Sequence, residues 1–276
     1  MIRRLTSKDI PIIKEMPTGL KEDYVGRILQ RLLEEETLLG YFYKEKLVGI
    51  AGMTIFEREA VVLGRLRTHA DYRNQGIASA LMKALQKEAC HHRLISWVGY
   101  ATEEYNTPGN RLAPHLKMKL EAKVVSSRVS PYVMIGQNKT EPFKRVVAAD
   151  KKITIETYWK KNESDFFPYS IYYPLPFMPI LSSSYLNQVE LFVNGSGGFM
   201  IMKEEKGASY LHLKVFNETT LYSKELWETV NAYASEEART IWVDLPLQQA
   251  KWLEPYSHQT VWHLYGQKRS LQNEMD

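Results

Sequence analysis

Leu63-Gly64-Arg65-Leu66-Arg67-Thr68-His69-Ala70-Asp71-Tyr72-Arg73-Asn74-Gln75-Gly76-Ile77-Ala78-Ser79-Ala80-Leu81 decides how the rest of the sequence reads. Its first residues complete an apolar-rich strand pattern that ends near Thr68. A polar turn follows, and Gly76 opens a segment with Ile77, Leu81 and Leu85 at helical spacing. The pattern is a strand, a loop and a helix N-terminus. The first turn of a helix has free N–H groups and the positive end of the helix dipole, which suits an anion. Gly76 and Ala78 keep that turn small, so a phosphate can reach the backbone, and Arg73 adds a fixed charge with forked donors. A diphosphate fits this stretch. A tight strand-to-helix turn without a ligand is the competing reading, and the context must decide between them.

Length and composition set the outer limits. A chain of 276 residues, 44% of them hydrophobic, can bury a real core and is long enough for two ordinary domains. No apolar run approaches the ~20 residues of a membrane span. The start, Met1-Ile2-Arg3-Arg4-Leu5, turns polar before a signal-peptide apolar region forms, so a soluble, cytoplasmic protein without a membrane partner is expected. The single cysteine, Cys90, excludes an intramolecular disulfide and provides no cluster for structural zinc. Next to His91 and His92 it reads as an incidental helix-end residue rather than a nucleophile or metal ligand, and no metal is expected. A net charge of +4 is too small to argue for nucleic acid, though it suits an anionic cofactor.

Taken in order, Ile2 to Leu5 reads as a strand, and Thr6-Ser7-Lys8-Asp9 matches a helix-capping pattern. The wide stripe of Tyr24, Val25, Ile28, Leu29, Leu32 and Leu33 gives a second helix ending near Glu36. Leu38–Tyr43 and Leu47–Phe56 read as an antiparallel hairpin, and Ala60–Thr68 as the strand that feeds the central loop. The helix after Gly76 runs to about Ala89, and Leu94–Tyr100 gives another strand.

Strand, two helices, three antiparallel strands, helix and strand is the order of the GNAT acetyltransferase superfamily. Arg73-Asn74-Gln75-Gly76-Ile77-Ala78 resembles its R/Q-x-x-G-x-G/A signature, at the same place in that order. The resemblance covers residues 1–138 and continues through Asn106-Thr107-Pro108-Gly109-Asn110, with Ala122–Ile135 expected to supply the last two strands. It implies a GNAT-like α/β (α+β) fold, a mixed, mostly antiparallel sheet flanked by helices. It also implies acetyl-CoA as co-substrate and an amine, on a small molecule or a peptide, as acceptor. By position it assigns the diphosphate to Arg73, Asn74, Gln75, Gly76, Ile77 and Ala78, and the pantetheine arm to the backbone of Leu66 and Thr68 and to Asn106. Asn106 reads equally well as a cap before Pro108.

Two departures stand out. Ala113 occupies the position where the family most often has a Tyr acid, and Pro114 is set to kink or end that helix. Tyr105 and His115 are nearby alternatives for the acid, and Glu59, with Glu57 close by, for the base that takes the amine proton; each reads more simply as structural or solvated. Residues 140–276 form a second α+β domain, with a hairpin at Val189–Met202, a half-buried strand at Tyr210–Phe216, a helix at Ser223–Ala238 and a strand at Thr240–Leu245. This order resembles a GNAT lobe whose strand-to-helix joint, with Glu218, Leu221 and Tyr222, no longer suits a phosphate. The Phe166–Pro179 aromatics read either as acceptor-site lining or as loop packing. The function expected is direct acetyl transfer from acetyl-CoA to a primary amine, with a non-catalytic acyl-CoA sensor or interaction module as the alternative. The sequence leaves the oligomeric state open.

Overall fold

A computed structural model describes residues 1–20, 23–131, 133, 135–136, 138–162, 164–237 and 239–269. The chain divides into two compact units, one formed by Met1–Leu120 and the chain from Tyr265, the other by Glu121–Leu264. The sequence placed a boundary near residues 138–140. The contacts instead part at Leu120, and the last part of the chain returns to the first unit.

In the first unit the elements are β1 (Ile2–Arg4), α1 (Ile10–Lys14), α2 (Tyr24–Glu35), β2 (Thr37–Tyr43), β3 (Lys46–Phe56) and β4 (Ala60–Thr68). They continue with α3 (Ile77–Ala89), β5 (Trp97–Glu103), α4 (Thr107–Asn110) and α5 (Leu112–His115). Strands β1 to β4 are antiparallel neighbours, and β5 lies parallel beside β4. Ile77, Leu81 and Leu85 of α3 bury one sheet face together with Val48, Ala51, Val61 and Leu63. Val25, Leu29 and Leu32 of α2 cover the other face against Leu38, Phe42 and Ile50. Both stripes follow the 3.6-residue period read from the sequence. The capping pattern forms, with Asp9 Oδ2 accepting the Thr6 N–H at 2.9 Å. The helix expected to kink or end at Pro114 appears as two single turns, α4 and α5, which part at Arg111, and Pro114 lies inside α5.

The second unit contains β6 (Lys119–Val129), β7 (Lys144–Arg145), α6 (Lys151–Lys161), β8 (Phe167–Ser170), β9 (Tyr173–Leu175), α7 (Ser183–Gln188) and β10 (Val189–Val193). After these come β11 (Gly198–Glu205), β12 (Ser209–Val215), α8 (Glu218–Leu221), α9 (Lys224–Glu236), β13 (Thr240–Pro246), α10 (Leu247–Ala250) and β14 (Ser257–Lys268). Strands β7, β10, β11 and β12 are antiparallel, β13 is parallel to β12, and β6 is antiparallel to β13. Where two strands are expected over residues 122–135, the described residues form one, β6, which pairs with β13. The expected helix end at Ala238 lies outside the described residues. The final strand, whose apolar residues do not alternate cleanly in the sequence, ends in the first unit from Tyr265 onward.

One expectation for this unit is overturned. The strand at Tyr210–Phe216 is buried on both faces, not half-buried, and His212 and Lys214 have no exposed surface. Leu211 and Leu213 pack under α9, while the opposite face is closed by the β8–β9 hairpin and α7. The His212 ring lies between two carboxylates, Nδ1 at 2.8 Å from Glu204 Oε1 and Nε2 at 3.1 Å from Asp244 Oδ2. Lys214 Nζ donates to Tyr169 O at 2.8 Å and Tyr185 Oη at 2.6 Å. Burial raises Glu204, but the His212 hydrogen bond and the Lys214 charge outweigh it and hold the carboxyl down to about 2, while burial lowers Lys214 to about 8. Within Phe166–Pro179, Phe167 meets Trp159 at 4.7 Å and Tyr169 stacks on Tyr185 at 4.6 Å, while Tyr172, Tyr173 and Phe177 are half-buried.

Candidate active site

The site is built where β4 leaves β5. Their parallel pairing joins Ala60, Val61 and Val62 to Trp97, Val98 and Gly99, and the register goes no further. Among the described residues the strand pairing of Leu63–Thr68 is with β3, so β4 and β5 part here and leave a notch on the side of the loop before α3. Within this stretch β4 bulges: Ile50 opposes Arg67 and Gly52 opposes Gly64, leaving Arg65 and Leu66 against Ala51 alone. Arg65 takes φ +53° there, the left-handed conformation that marks one kind of bulge. Its guanidinium reaches Glu36, just past the C-terminus of α2, at 2.7 Å. Arg67 grips Asp23, the N-cap of α2, through two bonds of 2.8 Å. Burial alone would raise Asp23, but Arg67 and the Val25 N–H hold it below its ordinary value. Two arginines on one strand therefore fix both ends of the same helix.

At the mouth of the notch the loop makes a concave run of amides. Asn74 has φ +62° and Gly76 has φ +77°. Left-handed residues placed this way turn successive N–H groups toward one side. Among the described residues the backbone N–H groups from Asn74 to Ser79 find no acceptor; the first that does is Ala80, bonded to Gly76 O at 2.9 Å. A Cβ built on Gly76 meets nothing within 4 Å, so the space over this amide is open. At Gly49 a Cβ would come within 2.8 Å of Ile77 Cγ2, and the bare backbone there lets the start of α3 sit directly on the sheet. Arg73 reaches the loop between α1 and α2, its guanidinium donating to Thr18 O. A diphosphate fits the geometry, and the residues that would hold it are the amides of Asn74, Gln75, Gly76, Ile77 and Ala78, with Arg73 at the rim.

The other sequence candidates fall in different places. Leu66 and Thr68 lie on the open part of β4, Leu66 in the bulge and Thr68 beyond it. Asn106 is the N-cap of α4, accepting the Gly109 N–H at 3.2 Å and donating to Thr102 Oγ1 at 2.9 Å. Glu59 precedes β4 on the closed side of the fork, where its carbonyl accepts the Ser96 N–H at 2.9 Å. The notch residues lie on the far side of that fork, and nothing in the pairing brings Glu59 to them. Tyr105 stands on the open side, 75% exposed, with its phenol raised by the hydrogen bond to Glu103. His115 is exposed at the end of α5 and Ala113 is buried. Sequence reasoning passed over Tyr100, the first β5 residue past the fork. It is buried, donates to Gly109 O at 2.9 Å, and burial pushes its phenol well above the ordinary range. No signal of period or motif separates it from the other aromatic strand residues. Among the described residues no group of His, Cys, Asp and Glu is arranged to hold a metal, and no helix is long and apolar enough to cross a membrane.

The corresponding joint of the second unit is closed by its own chain. Ser223 caps α9, the Lys224 N–H donates to Asn138 O at 2.9 Å, and Glu225 Oε2 accepts the Thr140 N–H at 2.9 Å. Gly136 lies so near that a Cβ would come within 2.2 Å of Ser223 O. Strands β12 and β13 pair from Tyr210 to Leu213, which leaves only two residues of β12 beyond the pairing.

Residues 11–116 match the family described as acetyltransferase (GNAT). A comparison with curated proteins found no match to the sequence. Among solved structures, the GCN5-related N-acetyltransferase from Sphaerobacter thermophilus aligns with a TM-score of 0.64 at 12% identity, covering 97% of this chain and 95% of that one. A chain from Thermoplasma acidophilum classed as an acetyltransferase aligns with a TM-score of 0.62 at 15% identity, covering 98% and 100%. The GCN5-related N-acetyltransferase from Kribbella flavida gives 0.54 at 15% identity, over 97% and 72%. These likenesses extend the shared fold beyond the family match, across both units. The mixed, mostly antiparallel sheet and the strand-to-helix turn before α3 lie within or beside this match, and residues 11–116 are accordingly similar to the acetyltransferase (GNAT) family.

Proposed function

We propose that the first unit binds acetyl-CoA and transfers its acetyl group directly to a primary amine. The observation that carries this reading is the run of amides from Asn74 to Ser79 left without internal acceptors at the start of α3, under open space at Gly76. The diphosphate would lie on these amides, and the pantetheine arm would extend along the free edge of β4 past Thr68 and Leu66 toward the fork. The thioester then stands near the bulge. The amine nitrogen attacks the acetyl carbonyl, the C–S bond breaks, the nitrogen gives up its proton and the thiol leaves protonated. Positioning of the thioester on a rigid strand supplies much of the rate. Among the described residues the amides at the start of α9 are taken up by Asn138 and Ser223; we propose that the second unit is a GNAT-like lobe without a cofactor, and that it contributes to the choice of acceptor.

Thiol release from acetyl-CoA in the presence of a polyamine, an amino acid and a lysine peptide tests the reading. Turnover with any of them supports it. Ala113, where the resembling family most often has a Tyr, favours a second reading, a non-catalytic acyl-CoA binder. Stabilisation by acetyl-CoA without turnover across the amine panel would select that reading.

A further inference from the structure

Five consecutive amides before the open run are all turned inward. His69 N–H donates to Val48 O at 2.9 Å, Ala70 N–H to Pro17 O at 2.8 Å, Tyr72 N–H to His69 O at 3.0 Å and Arg73 N–H to Ala70 O at 3.5 Å. The remaining one, Asp71 N–H, donates to a side chain, His69 Nδ1, at 3.2 Å. His69 is 2% exposed, and its ring meets that of Tyr72 edge-on at 5.0 Å. The Asp71 carboxylate is 3.9 Å from the same nitrogen, beyond hydrogen-bond distance, and points into solvent. Because Nδ1 accepts, the ring proton sits on Nε2. That nitrogen is buried and has no hydrogen-bond partner among the described residues.

A buried donor without a partner costs stability, and an apolar residue of similar size would avoid the cost. What no apolar residue can supply is the acceptor for Asp71. That bond closes the short turn Ala70–Tyr72, and the closed turn sets the direction in which the chain enters the left-handed Asn74. We propose that His69 is a positioning residue that presets the anion cradle of Asn74–Ser79 through its Nδ1 bond to the Asp71 amide. This inference rests on the reading that the cradle takes the diphosphate of acetyl-CoA.

The test compares two ligands that share the thioester arm, acetyl-CoA and S-acetylpantetheine, the second lacking the diphosphate. Wild-type protein is expected to bind acetyl-CoA far more tightly. His69→Phe, which keeps a ring and loses the acceptor, should weaken acetyl-CoA about tenfold and leave S-acetylpantetheine unchanged. His69→Leu serves if the Phe variant does not fold. His69→Asn places an amide oxygen near the Nδ1 position and should bind acetyl-CoA within about twofold of wild type. A role in packing alone would instead weaken both ligands together or neither. The proposal is overturned if a folded acceptor-free variant keeps wild-type affinity for acetyl-CoA, loses both ligands in parallel, or is matched in weakness by His69→Asn. If wild-type protein does not distinguish the two ligands, the diphosphate reading itself fails, a result separable from the first three.

Discussion

The ring of Tyr265 stacks on that of Tyr100 with centroids 5.4 Å apart, and its hydroxyl donates to Asn110 Oδ1 at 3.0 Å. Residues 155 positions apart are thereby joined beside the fork. Arg269 extends the tie: its backbone N–H donates to Ser96 O at 2.7 Å, and its guanidinium reaches the carbonyls of Ala89, Cys90 and His92 at the C-terminus of α3. At Gly266 a Cβ would come within 2.3 Å of the Trp97 indole, so only a bare backbone passes there.

Residues 1–138 alone are therefore expected not to form a stable cofactor domain, because they lack the strand end that covers Trp97 and Tyr100. Tyr265→Ala in the full chain should cost about 2–4 kcal/mol, read by denaturant unfolding. A 1–138 fragment with a cooperative transition and wild-type affinity for acetyl-CoA would refute this.

Gly76→Val should weaken acetyl-CoA by an order of magnitude or more. A β-branched residue is strained at φ +77°, by roughly 1–2 kcal/mol, and its side chain fills the open space above the amides. Calorimetry on a folded variant checks this, and unchanged affinity would remove the cradle from the mechanism.

One acetyl-CoA per chain is the expected stoichiometry. The N-terminus of α9 is occupied by Asn138, Thr140 and the Glu225 carboxylate, which leaves neither amides nor room for a second diphosphate. Titration to two equivalents would show the second joint to be open in solution.

Glu204→Gln should destabilise the second unit by about 3–5 kcal/mol at neutral pH, since it breaks one side of a buried charge pair. The folded value of Glu204, about 2, lies below the ordinary 4.5. Its contribution is thus complete above about pH 4.5 and is lost as pH falls through 2. Stability of the variant and of the wild type, measured from pH 7 to pH 2, should converge at the acid end. A constant gap would assign the effect to packing.

Cys90→Ala should retain activity within about twofold. The thiol is exposed, donates to Gln86 O at 3.2 Å, and lies at the C-terminal end of α3, the opposite end from Gly76. Trapping of an acetylated Cys90, with turnover lost in the variant, would contradict this.

What the sequence determined by itself is the part governed by local chemistry. The helical stripe of Val25, Leu29 and Leu32, the turn between β2 and β3, and the strand that feeds Gly76 follow from period and turn propensity. These act over a few residues, so they can be read without knowing what the chain later packs against. The cradle was legible for the same reason, because only a left-handed Gly ahead of small residues leaves amides open to an anion. Tertiary structure decided the rest. His212 and Lys214 carry the alternation of a strand with one wet face, and they are buried because a distant hairpin and α7 cover them. Asn106 is consistent in sequence with either a ligand contact or a cap; its distance to Gly109 shows it capping α4. The return of Tyr265 to Tyr100, the closure of α9 by Asn138 and the His69–Asp71 bond have no periodic or motif signature. They arise from which surfaces meet once the chain has folded, and residues far apart in sequence leave no mark on one another's local pattern.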